Sequence, residues 1–143
     1  MAPPPPQRLS VLYVDDDPDI SQIVRLSLSL DEGIEARFAG SGAEALALVE
    51  AGFRPNIAVL DVMMPVMDGP ALLERWRADP RTAAIPVLFM TARARDTDIA
   101  RYRGLGAAGV IVKPFDPLTL AGEIRRRWAA AQGQTCDPIG PWS

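Results

Sequence analysis

Five short apolar runs alternate with helical patterns along this chain, and that alternation limits it to a few folds. The runs are LSVLYV (9–14), IEARFA (34–39), NIAVLD (56–61), IPVLFMT (85–91) and AGVIVK (108–113). They are near-continuous rather than strictly alternating, which fits strands covered on both faces. The segments between them carry helix-end signals. Ser41 and Glu44 stand at capping-box spacing at the head of AEALALVEAG, whose Gly52 is placed to close the helix. Asp116-Pro117 supplies an N-cap and a first-turn proline before Leu120, Ile124 and Trp128, which share one helical face. Asp68 and Gly69 precede PALLERWRA, and Asp96 precedes TDIARYRGLG. Five strands alternating with five helices predict an α/β fold with a mainly parallel sheet.

The chain of 143 residues suits one domain with a substantial core. Residues 1–8 read as a proline-rich leader, 9–130 as the domain, and 131–143 as a polar tail too short for a second one. A net charge of -3 disfavours a general nucleic-acid or membrane-surface binder. No apolar run approaches the ~20 residues of a membrane span, and no secretory signal opens the chain. The expected compartment is the cytoplasm. A single cysteine, Cys136, builds neither a disulfide framework nor a thiolate metal site. The chain has no histidine, which excludes histidine-based catalysis and histidine phosphorylation on this chain. Fourteen of the 15 basic residues are arginine; Lys113 is the one lysine.

In open parallel sheets, ligands bind beyond the carboxyl ends of the strands. The first run ends in Asp15, Asp16 and Asp17, the third in Asp61, the fourth in Thr91 and the fifth in Lys113. Four of the five runs thus deliver a polar group to one edge. Clustered carboxylates are the hard oxygen ligands that Mg²⁺ takes. A carboxylate on a separate strand can both touch that metal and act as nucleophile. An ammonium and a hydroxyl beside it suit the equatorial oxygens of a moving phosphoryl group. Taken singly, the Asp cluster reads as a turn and helix cap, Thr91 as an ST-turn, and Lys113 as a solvated end. Asp61 resists the plain reading, because closing an apolar strand with a carboxylate is costly without a partner.

These residues resemble the receiver domain of bacterial two-component response regulators, especially the single-domain, chemotaxis-regulator-like kind. The resemblance runs from about Ser10 to Ala130 through VLYVDDDPD, VLDVMMPVMDG, VLFMTA and GVIVKPF, in order. The separations of 30 residues from Asp61 to Thr91 and 22 from Thr91 to Lys113 also match. It implies a flavodoxin-like, doubly wound five-stranded sheet of order 2-1-3-4-5. It implies that Asp61 accepts a phosphoryl group from a sensor histidine kinase or a histidine phosphotransfer protein. Mg²⁺ would bind Asp16, Asp61 and the Met63 carbonyl, with Asp15 acting mainly through a metal-bound water. Asp17 would start the helix rather than ligate. Lys113 and Thr91 would bond the phosphoryl oxygens, and Lys113-Pro114 would be cis. A downstream effector protein, or a second copy, would bind the face formed by the fourth helix, fifth strand and fifth helix. Arg101, Tyr102, Val110 and Arg125 are the expected members of that face.

One position departs from the family pattern. Three residues before Lys113, where the family commonly has Tyr or Phe, stands Val110. Coupling of the threonine to a rotating ring cannot operate there in its familiar form. Tyr102 is a nearby aromatic, for which surface packing is the plain expectation. Met63 and Arg93, two residues past Asp61 and Thr91, flank the site; Arg93 reads equally well as a phosphate contact or as a solvated arginine. Arg125, Arg126 and Arg127 near Trp128 read as a helix C-terminal cluster rather than a nucleic-acid patch. Two other readings remain: a phosphate-independent binding module on the same fold, and a haloacid-dehalogenase-type phosphatase. The first should have lost one of the key residues. The second should open its first strand with DxDxT, whereas DDDPD follows the strand here. No G-x-G-x-x-G follows a strand, which disfavours dinucleotide binding.

Overall fold

The structure, a computed structural model, describes residues 8–132. Its elements are β1 (Leu9–Val14), α1 (Pro18–Ser29), β2 (Ile34–Ala39), α2 (Gly42–Glu50) and β3 (Ile57–Asp61), then α3 (Gly69–Ala78), β4 (Val87–Thr91), α4 (Asp96–Gly104), β5 (Gly109–Val112) and α5 (Leu120–Ala131). All strand pairings are parallel, in the order β2-β1-β3-β4-β5. This is the flavodoxin-like arrangement expected from the sequence. The leader before Arg8 and the tail beyond Gln132, including Cys136, lie outside the described residues.

The period-two geometry of strands splits their apolar residues between two faces. Leu12 and Val14 of β1, Ala58 and Leu60 of β3, and Val87 and Phe89 of β4 join one core with Ala45, Leu72, Trp76 and Tyr102. Val11 and Tyr13, Ile57 and Val59, and Leu88 and Met90 join the other with Val24, Leu28, Leu120 and Ile124. Helices α2, α3 and α4 therefore cover one face, and α1 and α5 the other. Residues 57–61 and 87–91 are wholly buried, whereas β2 at the sheet edge is only half-buried. Burying both faces is why the central runs lack strict alternation.

Most helix ends follow the sequence signals, but Asp96 lies in the first turn of α4 instead of capping it, and Arg95 at the cap position makes no side-chain cap bond. Asp17 caps α1, accepting from the Asp19 and Ile20 amides. Ser41 accepts from the Glu44 amide, and the Glu44 carboxylate reaches back to the Gly40 amide. Gly52, at φ 105°, ends the α2 turn in the left-handed region that glycine enters freely. Asp116 differs from the expectation. Its carboxylate accepts from Leu118 N and its carbonyl from Thr119 and Leu120, so it caps a separate turn over 117–119. Helix α5 proper then starts at Leu120, after Thr119.

Candidate functional site

The strand order reverses between β1 and β3, and the carboxyl ends of those two strands form the crevice where such sheets bind ligands. Asp15 follows β1 directly and Asp61 ends β3. Both are buried, at 2% and 6% exposure, while Asp16 is exposed. One carboxylate oxygen from each of Asp15, Asp16 and Asp61 lies within 4.8 Å of the others. The parallel pairing of β1 with β3, with Val14 opposite Leu60, sets these two strand ends side by side, and Gly69 lets α3 begin close against the end of β3. A Cβ there would lie 2.7 Å from the Asp61 carbonyl oxygen and 3.0 Å from Val62 Cα.

Lys113, just past β5, reaches across β4 to this cluster. Its Nζ lies 3.0 Å from Asp61 Oδ1 and 3.7 Å from Asp15 Oδ2. The Lys113 amide donates to the Thr91 carbonyl at 2.8 Å, which fixes the stem of the lysine against the end of β4. The Lys113-Pro114 bond is cis, as the resemblance implied. The buried Thr91 hydroxyl oxygen accepts from the Arg93 amide at 3.0 Å, an ST-turn. Arg93 itself is exposed. Met63 lies in the loop after β3 with its side chain exposed.

The electrostatics follow from the geometry. Burial pushes the Asp61 carboxyl above its ordinary 3.8, the Lys113 ammonium opposes that rise, and the Asp15 charge adds to it. A cation among the three carboxylates would relieve that like-charge repulsion. The donor set is all hard oxygen, which fits Mg²⁺.

One contact went unseen in the sequence. The Tyr13 hydroxyl, buried in the sheet, donates to Asp15 Oδ2 at 2.6 Å. Burial, and then the Asp15 carboxylate, hold the phenol well above its usual pKa of 10, so it remains a donor at any ordinary pH. Asp15 Oδ1 accepts from the Asp17 amide at 2.9 Å, so both oxygens of the carboxylate are held. The available signal was a tyrosine in a mostly aliphatic strand, two residues before an acid and therefore on the same face.

The expected partner face is rearranged in detail. Tyr102 is not a surface residue: it is 4% exposed, and its ring meets Phe89 edge-on at 5.1 Å and 71°. Val110 is also buried, in the same core. Tyr102 and Val110 thus both belong to the core beneath α4 rather than to an exposed face. Arg125 pairs with Asp31, beyond α1, through two hydrogen bonds of 2.6 and 2.9 Å. Its guanidinium is thus turned toward α1 rather than α4. Arg101 is exposed, as expected.

A 2-1-3-4-5 parallel sheet, with carboxylates from β1 and β3 and a lysine after β5 at one edge, defines a receiver domain. Residues 11–125 match the model of the response regulator receiver domain, and the chain belongs to that family of two-component signalling domains. Among curated proteins it is 39% identical over 113 residues to an uncharacterized 14.6 kDa protein of Leptolyngbya boryana, covering 79% of this chain and 85% of that one. It is 36% identical over 115 residues to the DNA-binding dual master transcriptional regulator RpaA of Synechocystis, covering 80% of this chain and 47% of that protein. The chain spans about half the length of the DNA-binding regulators it matches. The chemotaxis response regulator CheY4 of Vibrio cholerae superposes with a TM-score of 0.77 at 34% identity, covering 85% of this chain and 99% of that one. No helix among the described residues is long and apolar enough to cross a membrane.

Proposed function

We propose that this chain is a phosphoacceptor whose Asp61 takes a phosphoryl group from a phosphohistidine on a sensor kinase or phosphotransfer protein. The observation that carries this reading is the Lys113–Asp61 contact of 3.0 Å beside three clustered carboxylates. The Asp61 carboxylate attacks phosphorus in line, an acyl-phosphate bond forms, and the donor's nitrogen–phosphorus bond breaks with its electron pair going to the imidazole. The donor histidine lies outside this sequence, which has none.

Asp15, Asp16, Asp61 and the Met63 carbonyl would hold Mg²⁺, with Asp15 acting mainly through a metal-bound water. When bound, the metal neutralises charge on the carboxylates and on the phosphoryl oxygens. Lys113 is poised to exchange its carboxylate contact for a phosphoryl oxygen. Thr91, whose oxygen now accepts from Arg93, has its own proton free to donate to the same group. The chain is a stoichiometric acceptor and signal carrier rather than a turnover enzyme. Its output is a changed surface read by an effector protein, with the α4–β5–α5 face as the expected contact for effector or second copy.

Intact-mass spectrometry after incubation with acetyl phosphate and Mg²⁺ tests this reading. One added phosphate is expected, lost when Mg²⁺ is chelated and lost in Asp61→Asn. No added mass with small donors or with a kinase would sink it, and sustained turnover of a generic phosphomonoester would replace it with a phosphatase.

A further inference from the structure

We infer that Tyr13 is a positioning residue for the metal site, its hydroxyl holding Asp15 so that the carboxylate faces a divalent cation instead of closing on Lys113. The inference rests on the phosphoacceptor reading above, and it concerns a residue that does not touch the cation itself.

The argument starts from what a buried carboxylate needs. The Asp15 side chain has no exposure, and its oxygens must be satisfied within the protein. Oδ1 takes the Asp17 amide at 2.9 Å. Oδ2 has two neighbours of different kinds: the Tyr13 hydroxyl at 2.6 Å and the Lys113 ammonium at 3.7 Å. The shorter contact has the length of a charge-assisted O–H···O⁻ bond. A neutral donor satisfies the oxygen without cancelling its charge, so the cluster stays anionic toward a cation. With the hydroxyl removed, the remaining donor beside Oδ2 is the ammonium, which would draw in and compete with the metal for the same carboxylate. Lys113 would at the same time be pulled from Asp61.

The position of Tyr13 is itself firmly set. The residue is fully buried, paired in the sheet with Phe38 on β2 and Val59 on β3, and its ring leans on Phe38 at 5.7 Å. Met90 Sδ lies 3.5 Å from the hydroxyl oxygen on the far side. Phenylalanine keeps the ring and its contact with Phe38 and removes only the hydroxyl, with its contacts to Asp15 and Met90. Groups that orient ligating carboxylates typically change metal affinity 10–100-fold when removed.

Calorimetric titration of the folded chain with Mg²⁺ tests this directly. Tyr13→Phe is expected to weaken binding about tenfold relative to wild type, with circular dichroism unchanged. Met90→Leu, which alters the same pocket without touching Asp15, is expected to bind as wild type does. In an Asp15→Asn background, adding Tyr13→Phe should weaken binding no further, because the hydroxyl acts through that carboxylate. Affinity within twofold of wild type in Tyr13→Phe overturns the inference. So does an equal loss in the Asp15→Asn background, which would mark a general packing effect. A wild-type chain that takes up no Mg²⁺ overturns the phosphoacceptor reading and this inference with it.

Discussion

The Lys113 ammonium straddles two carboxylates from different strands, 3.0 Å from Asp61 Oδ1 and 3.7 Å from Asp15 Oδ2. One side chain therefore holds β5 against the ends of β1 and β3 and sets the charge of the acceptor. Replacing it with methionine keeps the stem and removes the charge. Labelling of Lys113→Met by acetyl phosphate should slow about a hundredfold, the usual scale for losing one preorganised donor at a developing charge. The initial rate by intact mass measures this, and a rate within twofold of wild type would remove Lys113 from the chemistry.

The raised Asp61 carboxyl makes a second prediction. Below its ordinary 3.8 the group is protonated whether the chain is folded or not. As pH rises from there through the higher folded value, the unfolded chain loses its proton first, so folding stability falls. Metal-free Asp61→Asn should lack this decline and be the more stable protein at pH 7. Urea unfolding in chelator across that range decides it.

Asp31 has the opposite sign. The Arg125 guanidinium, and the Gly33 amide after it, hold its carboxyl below 3.8, so the pair stabilises the fold above that value. That contribution fades as pH falls through the depressed folded value. The pair is partly solvent-screened, and Arg125→Met should cost about 0.5–1 kcal/mol at pH 7. The difference from wild type should shrink in acid, as read from urea midpoints.

Val66, in the loop between β3 and α3, sits at φ 68°, a left-handed conformation that a β-branched residue resists. Its side chain is fully exposed, so nothing is lost from the core by removing it. Val66→Gly should stabilise the fold by about 1 kcal/mol. A lower urea midpoint would show that the loop holds Val66 for another reason.

Tyr102 separates two accounts of the α4 face. Buried against Phe89, its truncation to alanine should cost about 3 kcal/mol. A residue packed on the surface would cost less than about 0.5 kcal/mol. Thermal unfolding of Tyr102→Ala distinguishes the two.

The strand ends were legible for a physical reason. Chain segments buried on both faces must be apolar, so Asp61, Thr91 and Lys113 stood out where polarity returned, and parallel topology places those points at one edge. Asp17 was legible as a cap because capping depends on neighbours two and three residues away. What stayed hidden depends on distant partners or on backbone angles. Arg125 meets Asp31 across 94 residues of chain, and no local pattern announces it. Tyr102 reads as amphipathic surface until its ring is seen edge-on to Phe89 in the core. Tyr13 passes for one more apolar strand residue until its hydroxyl is seen on Asp15. The left-handed turn at Val66 runs against its own residue type.

The central claim is that phosphorylation falls on Asp61, and reductive trapping tests it most directly. Borohydride converts a phosphorylated aspartate to homoserine, and peptide mass mapping then locates the altered residue. After acetyl phosphate and Mg²⁺, homoserine should appear at position 61 and nowhere else, and should be absent when Mg²⁺ is chelated. Homoserine at Asp15 or Asp16, or a labelled chain with position 61 unchanged, would contradict the account.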